Sequence, residues 1–176
     1  MNSSPRPPES GTPSPSSLSS TELGERLILG ELTAAQYLGF SQQRLYEIAT
    51  IGHTLLNEGK LPAALDIFKG LVAASPYDSV FHCNLAAAYV QLQRLPEAMS
   101  EYTQALELNV ANVDALVGRS ELLLRAGKVG EALHDIQLAL EFDPNLQRET
   151  TQRARANLLL LQAMADTVEA PPSARP

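Results

Sequence analysis

At 176 residues with 44% apolar side chains, the chain can bury one core and is short for two independent ones. Its net charge of −7 rests on residues 21–146, which hold 8 Lys/Arg against 16 Asp/Glu, so the clustered cations that a nucleic-acid backbone requires are missing. A lone cysteine, Cys83, excludes an internal disulfide, no stretch approaches the ~20 apolar residues of a membrane span, and nothing near Met1 has a signal-peptide pattern. The expectation is a soluble cytoplasmic chain with neither nucleic-acid nor membrane partners.

In chain order, 13 of the first 20 residues are Ser or Pro, and only Met1 and Leu18 are large and apolar, so 1–20 reads as a disordered leader. Ser19 and Glu22 have capping-box spacing, and Leu23, Leu27, Ile28, Ala35 and Leu38 fall on one helical face behind them. Gly24 and Gly30 weaken that N-terminal helix, each by about 0.5–1 kcal/mol relative to alanine, so it is expected either to break near Gly30 or to be ordered only when docked on something else.

From Leu45 the sequence repeats every 34 residues, in blocks 45–78, 79–112 and 113–146. The segments GKLPAALDIFKGL, QRLPEAMSEYTQAL and GKVGEALHDIQLAL align, superposing Ala64 on Ala98 and Ala132, and Phe68 on Tyr102 and Ile136. Upstream in each block, Gly52, Ala86 and Ser120 coincide, with Leu55, Tyr89 and Leu123 nearly one turn later. Each block predicts a helical hairpin in which a side chain no larger than a methyl or hydroxymethyl sits where two backbones cross. Gly59 and Gly127 mark the turn inside a hairpin, Pro62 and Pro96 open the second helix, and Pro76 and Pro144 stop it. Val110 replaces the stop in the middle block, so that helix is expected to run on slightly or to turn less sharply into Val113.

This pattern resembles the tetratricopeptide repeat and implies an all-α solenoid of three hairpins with an N-terminal helix and a C-terminal capping helix. His82, where the family favours an aromatic ring, Gln93 in place of the turn glycine and Arg119 at an apolar position are departures. The repeats occupy a domain over 21–168. Its last helix, about 147–168, can lay Ala154, Leu158, Leu161 and Ala165 over the end of the stack. Residues 169–176 hold three prolines and read as a disordered tail.

Catalytic and metal chemistry are argued against by spacing. His53, His82 and His134 fall one to a block, Cys83 is adjacent to His82 and so points to another face, and neither CxxC nor HxxxH occurs. No glycine-rich phosphate loop follows a strand, so no cofactor is expected and the chain is not read as an enzyme. Function is placed on the concave surface lined by the first helix of each hairpin. Helical spacing assigns to it Tyr46, Ala49, Thr50 and His53, then Val80, Cys83, Asn84 and Ala87, then Asp114, Val117, Gly118 and Glu121. Small apolar residues mixed with a few hydrogen-bonding ones suit an extended peptide. A clamp for acidic C-terminal tails is unsupported, because Ala49, Asp114 and Gly118 stand where cations are needed. Arg148, Arg153 and Arg155 read as a solvated helix face.

The segments LTAAQYLGFSQQRLYEIA at 32–49, NEGKLPAALDIFKGL and PYDSVF at 76–81 resemble the class II chaperones of bacterial type III secretion. Tyr77, Asp78 and Ser79 match their aromatic-Asp-Ser link, and Glu121, Leu122 and Leu123 fit their third repeat. The resemblance implies a bacterial cytoplasmic chaperone that holds hydrophobic translocator proteins before export. It also implies a homodimer through the N-terminal segment, with Leu23, Leu27, Ile28 and Leu38. The alternative is a scaffold or regulatory adaptor that joins folded proteins.

Overall fold

The structure, a computed structural model, describes residues 19–169. The expectations for residues 1–18 and 170–176 lie outside the described residues. Every regular element in the described residues is an α-helix: α1 (Ser20–Ile28), α2 (Ala34–Tyr37), α3 (Gln42–Asn57), α4 (Leu61–Ala74), α5 (Ser79–Gln91), α6 (Leu95–Leu108), α7 (Val113–Arg125), α8 (Val129–Phe142) and α9 (Glu149–Glu169). The all-α expectation therefore holds. The chain divides into two compact units whose boundary falls inside α6, between Ala98 and Met99.

In the N-terminal unit, Ser19 and Glu22 form the expected capping box of α1, and a second box joins Thr33 to Gln36 at α2. Between them the chain breaks at Gly30, where φ is +75°. A glycine adopts that left-handed backbone without the Cβ clash any other residue would meet.

Helices α3 and α4 pack together through buried Leu45, Ala49 and Leu56 on one side and Ala64, Leu65, Phe68 and Leu71 on the other. At Gly52 the packing leaves no room for a side chain. A Cβ there would lie 2.7 Å from the ring of Phe68, which is itself fully buried. Helix α5 adds Phe81, Leu85, Ala86, Ala88 and Tyr89 to this core. Burying a Phe or Leu side chain contributes about 1.5–3 kcal/mol, so these few residues outweigh the propensity differences along the helices.

In the C-terminal unit, α7 and α8 form a hairpin that buries Leu116, Val117 and Ser120 together with Ala132, Ile136 and Ala139. The turns within the hairpins recur at the 34-residue interval: Gly59 at φ +73°, Gln93 at φ +58° and Gly127 at φ +74°. The glycine departure at Gln93 thus places a side chain in the left-handed region.

Helix α6 does not run on past its counterparts. It stops at Leu108, two residues before Val110, in register with the ends of α4 at Ala74 and α8 at Phe142. Side-chain turns replace the missing proline: Asn109 Oδ1 accepts from the N–H of Ala111 at 3.1 Å, and Asn112 Oδ1 caps α7 by accepting from Ala115, also at 3.1 Å.

The final helix packs on both α7 and α8. Thr151 and Ala154 are fully buried, Leu158 and Leu161 half-buried, and Ala165 exposed, so only the first part of the expected capping face is covered. Ala154 continues the series Gly52, Ala86 and Ser120 one further interval of 34, and Thr151 continues Ala49, Cys83 and Val117. Helix α9 therefore takes the place of the first helix of a fourth hairpin.

Candidate functional site

The link between α4 and α5 organises one side of the N-terminal unit. Asp78 caps α5 by accepting from the N–H of Val80 at 2.9 Å, while its other carboxylate oxygen accepts from the Tyr46 hydroxyl at 3.1 Å and from the Gln42 amide. The Tyr46 ring also lies against Phe81, with centroids 5.3 Å apart and planes tilted by 54°. Burial pushes the Tyr46 phenol above its usual range; the Gln42 amide opposes that shift and the Asp78 carboxylate adds to it. Tyr46 is thus a fixed hydrogen-bonding platform that stays neutral at physiological pH. Pro76 lends its carbonyl to the Nε2 of His82 at 3.0 Å, so His82 packs locally in place of the expected aromatic ring.

Of the residues assigned to the peptide surface, Tyr46, Thr50 and His53 are exposed along α3 at spacings of four and three, hence on one face. The Thr50 hydroxyl is turned back to the Tyr46 carbonyl at 3.0 Å, and His53 stands edge-on to Phe68 at 5.3 Å. On α5, Val80 is exposed and Ala87 half-buried. These five form the accessible part in this unit.

Ala49, Cys83, Asn84, Val117 and Gly118 lie beneath the surface. Ala49, Cys83 and Val117 share one register with the buried Thr151, which marks it as a helix-packing position. Gly118 is backed by a ring, since a Cβ there would fall 2.2 Å from Tyr102. None of them offers an exposed side chain.

In the C-terminal unit the two carboxylates of the proposed lining are already paired. Asp114 accepts from Arg148 Nη1 at 2.9 Å and from the Thr150 hydroxyl at 2.6 Å, and Glu121 accepts from Arg153 Nε at 3.1 Å. Two of the three arginines read as a solvated face therefore tie the start of α9 to α7. Asp143 anchors the same junction, accepting from the Thr151 hydroxyl and from the N–H groups of Arg148 and Gln147 at 3.0 and 3.1 Å. The Thr151 hydroxyl, followed by these backbone donors, holds the Asp143 carboxyl below the usual carboxylate range.

Spacing did not indicate the partner of Arg119. It is Asp135 on α8, 1% exposed, met by Nε at 2.7 Å and Nη2 at 2.8 Å in a two-pronged ion pair. Those hydrogen bonds raise the guanidinium pKa further. The pair lies at the wall of an open cleft of about 710 Å³ among α6, α7 and α8, which also exposes Thr103, Lys128 and His134.

Among the described residues no group of three or more His, Cys, Asp or Glu could hold a metal ion, and no helix is long and apolar enough to cross a membrane. Of the residues assigned to a dimer, Leu23 and Leu27 are half-buried, while Ile28 and Leu38 are exposed.

A tetratricopeptide-repeat family model matches residues 83–146. Human RNA polymerase II-associated protein 3 is 31% identical over 94 residues, covering 53% of this chain and only 14% of that protein. The Yersinia enterocolitica type III secretion translocator chaperone SycD has a similar fold, with a TM-score of 0.65 at 23% identity over 73% of this chain and 97% of that one. Its complex with a peptide of the translocator YopD gives 0.62 at 22% identity, over 71% and 97%. The first such domain of Spaghetti, bound to the HSP90 peptide SRMEEVD, gives 0.59 at 29% identity, over 71% and 96%. Over residues 83–146 the chain matches the tetratricopeptide-repeat family model, and its helical hairpins have the fold of these structures.

Proposed function

We propose that this chain is a bacterial cytoplasmic chaperone that holds an extended segment of hydrophobic type III secretion translocator proteins against the first helices of its repeats. On this reading it acts by binding and not by catalysis. The observation that carries the proposal is the accessible row Tyr46, Thr50, His53, Val80 and Ala87. It mixes apolar contact with hydrogen-bonding groups and is backed by buried small residues that keep it shallow. SycD, similar in fold, has been solved with a translocator peptide, which supports the same use here. Every 100 Å² of translocator apolar surface withdrawn from water is worth about 2.5 kcal/mol before ordering costs, enough to hold a segment without cofactor or nucleotide.

A second reading, an adaptor for folded partners, draws on the Spaghetti domain and its acidic HSP90 peptide. Capture of an acidic tail is disfavoured here because Arg148 and Arg153 already pair with the chain's own Asp114 and Glu121.

Co-expression with a hydrophobic type III translocator should keep that protein in the soluble fraction, and Tyr46→Ala combined with His53→Ala should return it to the pellet. Equal precipitation with and without this chain would remove the chaperone reading. A partner retained by the full chain but lost on deleting residues 1–20 would favour the adaptor.

A further inference from the structure

The outer face of α9 is apolar where a solvated helix should be polar. With Thr151, Ala154, Leu158 and Leu161 turned inward, the opposite side carries Ala156, Leu159, Leu160, Ala163 and Met164, and the three large side chains are 56%, 61% and 57% exposed. A helix that is apolar on both sides is normally enclosed. Residues 170–176, with three prolines and no large apolar side chain, are not suited to enclose it.

Two properties of the face say what fits it. Its order is palindromic: Ala156, Leu159, Leu160 and Ala163 read the same in both directions about the midpoint between Leu159 and Leu160. A surface that matches itself after a two-fold rotation is the requirement of an isologous contact. Its charges are self-complementary as well. Arg155 and Asp166 lie along one flank, three helical turns apart, and neither has an ion-pair partner among the described residues. Antiparallel pairing about that midpoint brings each Arg155 within reach of the other helix's Asp166.

We propose that the outer face of α9 is a self-association surface on which two copies of this chain pair their α9 helices antiparallel, leucines at the centre and Arg155 against the partner's Asp166 at both ends. Three large apolar side chains per copy fall short of a standard interface of about 1,200 Å², so the dimer forms at concentrations on the order of micromolar and exchanges freely. This surface is distinct from the N-terminal one that the family resemblance implies. The inference does not rest on the translocator reading.

The test is sedimentation of the full chain across a concentration series. The wild type should pass from monomer to dimer, and Leu160→Glu should stay monomeric with an unchanged circular-dichroism melt, since Leu160 is mostly exposed. Arg155→Asp or Asp166→Arg alone should weaken association about tenfold, because two attractive pairs become two repulsive ones. The double variant R155D/D166R should restore it, which a merely structural role could not do. A chain that is monomeric at every concentration overturns the proposal. So does a dimer abolished by Ile28→Glu and indifferent to Leu160→Glu, or a Leu160→Glu chain that still dimerises but no longer keeps a translocator soluble.

Discussion

Replacing Arg119 with leucine leaves Asp135 as a buried carboxylate without its partner. Asp135 is 1% exposed, and Arg119 donates to both of its oxygens, at 2.7 and 2.8 Å. Each charge-assisted hydrogen bond contributes about 1.5–3 kcal/mol, and removing one partner of a buried pair costs about 3–5 kcal/mol. The Arg119 side chain is 25% exposed, so solvent screens part of the attraction and the lower end applies, about 3 kcal/mol. At about 2–4 °C per kcal/mol for a chain of this size, Tm should fall by roughly 6–12 °C.

The reverse change, Asp135→Ala, should cost less, about 1–2 kcal/mol, because a partly exposed guanidinium can turn to water whereas a buried carboxylate cannot. Removing both charges in R119L/D135A should recover at least about 2 kcal/mol of the loss seen in R119L. Urea unfolding of the three variants measures all of this in one series. The reasoning fails if R119L costs under about 1 kcal/mol, or if the double variant is no more stable than R119L.

Three further outcomes follow from particular contacts. Gly118→Ala should destabilise by about 1–3 kcal/mol despite the better helix propensity of alanine, because the new methyl meets the buried Tyr102 ring at 2.2 Å; thermal melts check it, and a neutral result would show that the ring can move. Gln93→Gly should stabilise by about 0.5–1 kcal/mol, since glycine holds φ +58° without strain and its greater unfolded entropy offsets only part of the gain. Asp143 has a folded-state pKa held below its unfolded value, so its contribution is present above about pH 4 and is lost as pH falls through the lower folded value. Melts from pH 7 down to pH 3 should therefore show a loss of stability that Asp143→Asn flattens, and an unchanged profile would deny the carboxylate its role in docking α9.

Much of the fold was legible because helical hairpins leave a periodic record. The spacing of 34 residues located the small buried residues Gly52, Ala86 and Ser120 and the positive-φ turns at Gly59, Gln93 and Gly127, the turns being determined by backbone geometry within one hairpin. The same arithmetic reaches Ala154, which identifies α9 as one more first helix, although its position in the series emerged only when its burial was seen. The candidate site was legible in part. Tyr46, Thr50, His53 and Val80 are accessible as their spacing suggested, whereas Val117 and Gly118 have neighbours pressed against them.

What the linear chain determines is the angular position of each residue around its own helix axis, because that depends only on 3.6 residues per turn. Which side chain stands across the gap depends on the packing of other helices, and this was decided by the tertiary structure alone. It brought Asp135 to Arg119, Arg148 and Thr150 to Asp114, and Arg153 to Glu121. It also left Leu159, Leu160 and Met164 facing outward, since α7 and α8 can cover only one side of α9.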